Sequence, residues 1–379
     1  MNIGFLFNHD ATHQMPHTIP VAAALARRGV AVQVLTSSPE QREVAVALLG
    51  DAPVRHVSLA LSPWAQAADH VLRHVAPFRR IAILRRNLGL FAQLDALVVP
   101  ETTSTLLKTR FGLNGLKLIY LPHGAGDGAA GFQPVTRRFD FVLLSGPKVR
   151  DRMLAAGLIG PDNHAIVGYP KFDLAAAPTP ALFANDRPTV LYNPHFNPYL
   201  SSWYGPGRAV LRWFAAQDRF NLIFAPHVML FRRRVHTTLI HRRIGVPPAV
   251  PHALRGHPNI LVDTGSRRSI DMSYVRAADI YLGDVSSQIY EWIATPRPAI
   301  FLNTHKSGWQ NAPDYRHWAL GEVIDDVAAL PAALDRAMAD PTAYAARQRQ
   351  AMAETFSLTD RPAAERAAAA ILQFLQHQS

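Results

Sequence analysis

Short apolar runs alternate with helix-period segments in two successive series, and this rhythm restricts the fold more than any other property of the chain. In the first series, strands are expected over residues 3–7, 30–35, 96–99, 118–121, 139–144 and 165–167. Most are compact runs of Val, Ile, Leu, Phe and Ala, the composition of a strand covered on both faces. Residues 17–28 set Ile19, Ala22, Ala23 and Ala26 at helical spacing before Gly29, and residues 148–156 form a second helix ended by Gly157. The small-residue and proline stretch 175–180 reads as a linker. The series then restarts, with strands expected at 189–192, 221–224, 259–262, 280–282 and 299–302. Helices are expected at 207–216, 270–277 and 287–294, then at 327–338, 341–354 and 363–376. Such alternation builds parallel sheets covered by helices. The expected fold class is α/β, with two doubly wound Rossmann-like domains facing across a cleft. Their bounds are 1–175 and 181–355, with a C-terminal helix in 356–379 packing back on the first domain. Ligands of open parallel sheets sit beyond the carboxyl ends of the strands, so residues just after strands are the informative ones.

Composition excludes several classes. Cysteine is absent, which removes a disulfide scaffold, a cysteine-ligated metal and a thiol nucleophile. No run reaches the roughly 18 apolar residues of a spanning helix. The opening Met-Asn-Ile-Gly-Phe-Leu-Phe has neither a basic leader nor a cleavage site, so no export signal is expected and the location reads as cytoplasmic. The formal net charge is +11, and five lysines leave arginine to supply it. Residues 219–259 contain no Asp or Glu, yet hold Arg232, Arg233, Arg234, Arg242, Arg243 and Arg255. Arg79, Arg80, Arg85 and Arg86 form a second cluster. These patches attract phosphate donors, acidic lipid headgroups or acidic polymers, or else they form a solvated face without a partner. No aromatic ladder or zinc spacing points to specific nucleic-acid reading.

Three strand-end segments could carry chemistry. Leu121-Pro122-His123-Gly124-Ala125-Gly126-Asp127-Gly128 follows an apolar run. His123 can accept a proton near neutral pH, and the glycine-rich chain lets amides approach an anion; the alternative is a turn with a backbone-bonded histidine. Phe224-Ala225-Pro226-His227 offers a second strand-end imidazole, either a donor to phosphate oxygens or a packing histidine. In Gly283-Asp284-Val285-Ser286-Ser287-Gln288-Ile289-Tyr290-Glu291 a strand runs through two serines into a helix. Ser286 suits an N-cap, the amides of residues 286–288 suit a diphosphate, and Glu291 can accept from ribose hydroxyls; an ordinary capping arrangement explains the same residues. His13 and His17 stand four apart, but no carboxylate pattern completes a metal set, and an acceptor-site role fits them better. Arg267 and Arg268 meet either phosphate or solvent. Walker A, Gly-x-Gly-x-x-Gly and Gly-x-Ser-x-Gly patterns are absent.

The order of these motifs resembles a known family. It runs from His123-Gly124 through Gly168-Tyr169-Pro170-Lys171-Phe172-Asp173, Tyr192-Asn193-Pro194-His195 and Ala225-Pro226-His227. It ends with Asp284-Val285-Ser286-Ser287, Glu291 and Arg297-Pro298. The pattern is similar to the CDP-glycerol glycerophosphotransferases, teichoic-acid primases and polymerases of GT-B fold, from about residue 95 onward. The resemblance implies that His123 is the base for the acceptor hydroxyl and that His227 meets the donor phosphates. It further implies that Ser286 and Ser287 bind the diphosphate and that Glu291 meets the ribose. Gly124, Lys171, Pro194, His195 and Asp284 fall on the remaining donor-site motif positions. Departures are visible: Pro-His-Gly-Ala-Gly stands for Trp-His-Gly-Thr-Pro, Lys171 for Arg, Glu291 for Asp, and Ala225 for a basic residue.

The expected activity is transfer of a glycerophosphate-type group from a CDP-activated donor to a hydroxyl acceptor, lipid-linked or free, in cell-surface polymer or glycolipid synthesis, with release of CMP. No metal or cofactor is required. The basic patches suit peripheral contact with an anionic inner membrane face. Alternatives are a GT-B glycosyltransferase using a nucleotide sugar, a UDP-sugar 2-epimerase-like enzyme, and an inactive nucleotide- or polyanion-binding protein.

Overall fold

Apolar runs bounded by turn residues form two separate parallel sheets. The computed structural model describes every residue except 10–11, 62–77, 129–130, 175–180, 239–241 and 378–379, so the expected linker lies outside the described residues. The chain divides into two units. One comprises residues 1–125, 130–175 and 354–379; the other comprises 126–129 and 176–353.

The first unit holds seven strands: β1 (Asn2–Phe7), β2 (Ala31–Thr36), β3 (Arg55–Ser58), β4 (Ala96–Val99), β5 (Lys117–Tyr120), β6 (Phe141–Leu144) and β7 (His164–Ile166). Their order is β3-β2-β1-β4-β5-β6-β7, with all pairs parallel. Strand residues alternate between faces. Ile3, Phe5 and Phe7 enter one core layer, while Leu6 joins Leu35 and Leu97 in the other. The first layer is closed by helix α1 (Met15–Arg27) and by the last helix of the chain, Ala363–Gln376. That last helix presents Ala364, Ala367, Ala368, Ile371 and Leu375 to the core. The Asp173 carboxylate accepts from the amides of Ala363 and Ala364 at 3.1 and 2.6 Å, Phe374 stacks on Phe141 at 4.5 Å, and Arg28 pairs with Glu365.

The second unit repeats the winding. Strands β8 (Thr189–Asn193), β9 (Asn221–Phe224), β12 (Ile260–Val262), β13 (Ile280–Gly283), β14 (Ala299–Leu302) and β15 (Glu322–Ile324) lie in the order β12-β9-β8-β13-β14-β15, again all parallel. A separate antiparallel hairpin pairs β10 (His236–Thr238) with β11 (Arg243–Gly245). In each sheet the winding reverses direction beside the first strand, between β1 and β4 and between β8 and β13. The strand ends flanking those points are where a doubly wound sheet opens to a ligand.

The α/β class and most strand positions agree with the sequence reading, because a strand covered on both faces is a continuous apolar run. Strands β3, β10, β11 and β15 were not expected; Arg-His-Val-Ser, His-Thr-Thr, Arg-Ile-Gly and Glu-Val-Ile are short and mostly polar or half-exposed. The helix after β13 covers only Gln288–Trp292, shorter than the expected 287–294. The segment expected at 327–338 begins as a 3-10 turn, Val327–Ala329, before the helix Leu330–Ala339. No helix among the described residues is long and apolar enough to cross a membrane.

Ala367 has no exposed surface. Ala367→Asp would place an unpaired carboxylate between the last helix and α1, so urea unfolding should show a loss of about 3 kcal/mol or more. An unchanged midpoint would show that this face is not buried.

Candidate active site

In the second unit, the exits of β8 and β13 are knotted by one buried carboxylate. Asp284 accepts from the amides of His195, Ser202 and Val285 at 2.9, 2.6 and 2.7 Å, and from the Ser202 hydroxyl at 2.9 Å. Burial lifts its carboxyl to about 6, although these hydrogen bonds pull the other way. A folded value above the ordinary 3.8 means that the folded state takes up the proton more readily. This group's contribution to stability therefore falls as pH rises from about 4 to about 6. Asn193 makes a second tie: its Nδ2 donates to the Ala225 carbonyl at 2.7 Å, and its Oδ1 accepts from the Ser286 hydroxyl at 2.9 Å. A third runs from Asp127, whose carboxylate accepts from the Tyr290 hydroxyl at 2.6 Å and the His317 amide at 3.2 Å. The Asp284 carbonyl in turn accepts from the Trp318 indole at 2.9 Å. Gly126 makes this packing feasible, since a Cβ there would lie 3.0 Å from the Ser287 Cβ.

The dipeptide Pro-His leaves a strand three times, as Pro122-His123 after β5, Pro194-His195 after β8 and Pro226-His227 after β9. In the second unit both imidazoles turn back on their own chain. His195 Nδ1 accepts from the Asn197 amide at 3.0 Å, and His227 Nδ1 accepts from the Met229 amide at 3.2 Å. An accepting Nδ1 leaves the proton of the neutral ring on Nε2, so both rings present an Nε2–H donor. The rings lie 5.3 Å apart, with Phe196 packed on each. Burial, with the neighbouring His236 and His317, lowers the His195 value to about 3, so this ring is neutral throughout the physiological range.

The same dipeptide has the opposite polarity in the first unit. His123 Nδ1 lies 3.0 Å from the Pro100 carbonyl just after β4. A carbonyl only accepts, so Nδ1 carries the hydrogen and Nε2 keeps its lone pair. Burial lowers the His123 value from 6.5, partly offset by the Pro100 carbonyl and Glu101. His13 and His17 pack their edges on this ring, at centroid distances of 5.3 and 6.4 Å. His17 also meets Tyr169 at 4.9 Å. Its value is driven well below 6.5, first by burial, then by the charge of Lys171 and by His123.

The sequence-derived candidates thus fall into two groups. His123, Gly124 and Lys171 lie in the first unit, with His13 and His17 beside them. Pro194, His195, His227, Asp284, Ser286, Ser287 and Glu291 lie in the second. Within that second group the hydroxyls differ. Ser286 is buried, donates to Asn193 and accepts from the Gln288 amide at 3.3 Å; Ser287 is exposed. Glu291 is buried. Arg267 and Arg268 are exposed on a 3-10 turn. Gly124, Gly126 and Gly128 all avoid positive φ. The sequence reading did not single out Asn193, Ser202, Asp127 or His317. Among the described residues, no group of three or more His, Cys, Asp or Glu side chains is placed to hold a metal ion.

A model of the CDP-glycerol:poly(glycerophosphate) glycerophosphotransferase family matches residues 121–373, about two thirds of the chain. The chain belongs to that family. It is therefore a transferase, and the resemblance read from the motifs holds. The glycerophosphotransferase fold is GT-B-like. The wall teichoic acid polymerase TagF superposes with a TM-score of 0.63 at 12% identity, covering 100% of this chain and 90% of that one. A Listeria monocytogenes protein described as a UDP-N-acetylglucosamine 2-epimerase gives 0.62 at 14%, covering 100% and 96%. The calicheamicin glycosyltransferase CalG4 gives 0.54 at 16%, covering 100% and 99%. No curated protein sequence matches significantly.

Imidazole nitrogen NMR should find His195 of this glycerophosphotransferase as the Nε2–H tautomer and His123 as Nδ1–H at neutral pH. An Nε2–H assignment for His123 would contradict the Pro100 contact.

Proposed function

We propose that this glycerophosphotransferase moves a glycerophosphate group from CDP-glycerol to a hydroxyl acceptor, with His123 as the base and the His195–His227 pair as donors to the diphosphate. The opposite polarity of the Pro-His imidazoles carries this reading: one Nε2 holds a lone pair for a proton, and the other two hold hydrogens for phosphate oxygens. A TagF structure obtained after a 30 minute soak with CDPG supports the choice of donor.

In the step envisaged, the acceptor oxygen attacks the β-phosphorus and its proton passes to His123 Nε2. The new P–O bond forms as the bond from the β-phosphorus to the bridging oxygen breaks. CMP leaves with the electron pair, and its charge is met by the N–H groups of His195 and His227 and by the exposed Ser287 hydroxyl. We assign Glu291 to the ribose and Lys171, beside His17, to an anionic group of the acceptor. Such an acceptor is lipid-linked at the inner membrane face. The glycosyltransferase and epimerase readings share the fold, but a glycosyltransferase would release a nucleoside diphosphate and an epimerase would need no acceptor. Release of CMP from CDP-glycerol therefore decides the reaction.

His123→Ala should lower kcat by roughly 10²–10⁴-fold, the usual worth of a positioned base. Donor affinity measured by calorimetry should stay within about threefold. Near-normal turnover would remove the assignment. His227→Ala should weaken CDP-glycerol binding roughly tenfold, as expected for one hydrogen bond to a charged group; an unchanged Kd would place the diphosphate elsewhere. Because burial lowers the His123 value, its base form predominates at pH 7, and kcat should fall only as pH drops below 6.5. A limb lying above 6.5 would contradict this environment.

A further inference from the structure

The loop that leaves β4 buries a carboxylate of its own. Glu101 follows Pro100 at the strand exit, just before the 3-10 turn Thr103–Thr105, and is only 6% exposed. Its side chain accepts from the amides of Thr103 and Ser104 at 2.6 and 3.1 Å, and from the Ser104 hydroxyl. Both oxygens act as acceptors, the pattern of an ionised acid. Amides that open a helical turn need an acceptor, but a neutral Ser or Asn serves as well as an acid. A charge in so dry a place is costly unless a cation meets it. Among the described residues, no Lys or Arg pairs with Glu101. Its charge acts instead on Tyr120 and His123. Burial, and then this charge, push the Tyr120 phenol up, so that neighbour stays neutral. His123 is the neighbour that can become a cation, and its Nδ1 lies 3.0 Å from the carbonyl of Pro100, the residue before Glu101. His13 and His17 also pack on the His123 ring. His17 is kept neutral by burial and by the charge of Lys171, so Glu101 brings the negative charge to this group.

We propose that Glu101 is a positioning residue for the transfer: its carboxylate holds the turn that aims the His123 ring, and supplies the negative charge that the imidazolium meets. When the acceptor hydroxyl gives its proton to His123 Nε2, the ring becomes positive while Nδ1–H stays on the Pro100 carbonyl. Glu101 takes no proton; it lowers the energy of the charged ring through the low-dielectric loop between them. The proposal rests on the reading of His123 as the base. The two fail differently. Normal turnover in His123→Ala would remove the base and leave the effect of Glu101 on the ring intact, whereas a ring indifferent to Glu101 would leave the base in place.

The test is an NMR titration of the full chain with ring-labelled histidine and no substrate, beside the pH profile of kcat. Glu101→Gln keeps the size and an acceptor oxygen but loses the charge. The His123 midpoint should fall by about one pH unit, a tenfold loss of proton affinity, and the acid limb of kcat should move down with it. On the plateau kcat should drop roughly tenfold, with KM for CDP-glycerol little changed. Ser104→Ala removes one hydrogen bond of the turn and keeps the charge, so its midpoint should stay within about 0.3 pH units of the wild-type value. Circular dichroism checks folding. An unmoved midpoint in folded E101Q would overturn the proposal, as would a lowered midpoint with wild-type kcat. A midpoint in S104A lowered by about one unit would also overturn it, because the shape of the turn and not the charge would then govern the ring. That last result decides the matter even where E101Q does not fold.

Discussion

The second unit is organised around a carboxylate that has almost no access to water. Asp284 occupies the place just after β13 and takes hydrogen bonds from two points, His195 and Ser202, on the segment that leaves β8. A buried acceptor of this kind leaves little freedom, because each donor it holds would lose its partner if the loop moved. Its position therefore sets the start of the Pro194-His195 turn, and through Asn193 the neighbouring Ala225-Pro226-His227 turn follows. The site residues are held by polar ties between strand ends rather than by the apolar core beneath them.

The two units use one short motif for opposite ends. A histidine after a proline at a strand end becomes a hydrogen donor when its Nδ1 finds a backbone amide, and a lone-pair acceptor when it finds a carbonyl. Neither outcome needs a charged neighbour, and burial keeps the rings of His123 and His195 unprotonated near neutral pH. This division suits transfer between a hydroxyl and a diphosphate, where one imidazole must gain a proton while others hold an anion.

The fully covered strands were legible in the sequence, since Ala96–Val99, Asn221–Phe224 and Ala299–Leu302 lie where the apolar runs stand. The hairpin was hidden, because His-Thr-Thr and Arg-Ile-Gly have no run and only weak alternation. The three Pro-His steps were visible, but their polarity was not. The partner of His123 lies 23 residues upstream, whereas those of His195 and His227 lie two residues ahead. The pairing of Asp127 with His317 spans 190 residues and leaves no local trace. Asp284 stood out as a strand-end acid, but only its four donors reveal that its oxygens face inward. The helix after β13 also loses weight as an anion site, since five residues sum only a small dipole.

The last helix of the chain bears on how the protein is made. Its alanine face closes a core whose opening strand is Asn2–Phe7, so the first unit is finished by residues synthesised only after the whole second unit. Until they emerge from the ribosome, α1 carries an uncovered stripe of Ala and Leu while the whole intervening unit is translated. Such a stripe is the kind of surface that chaperones hold, and that aggregates at high expression. A message cut short before residue 363 would yield a first unit that lacks one wall.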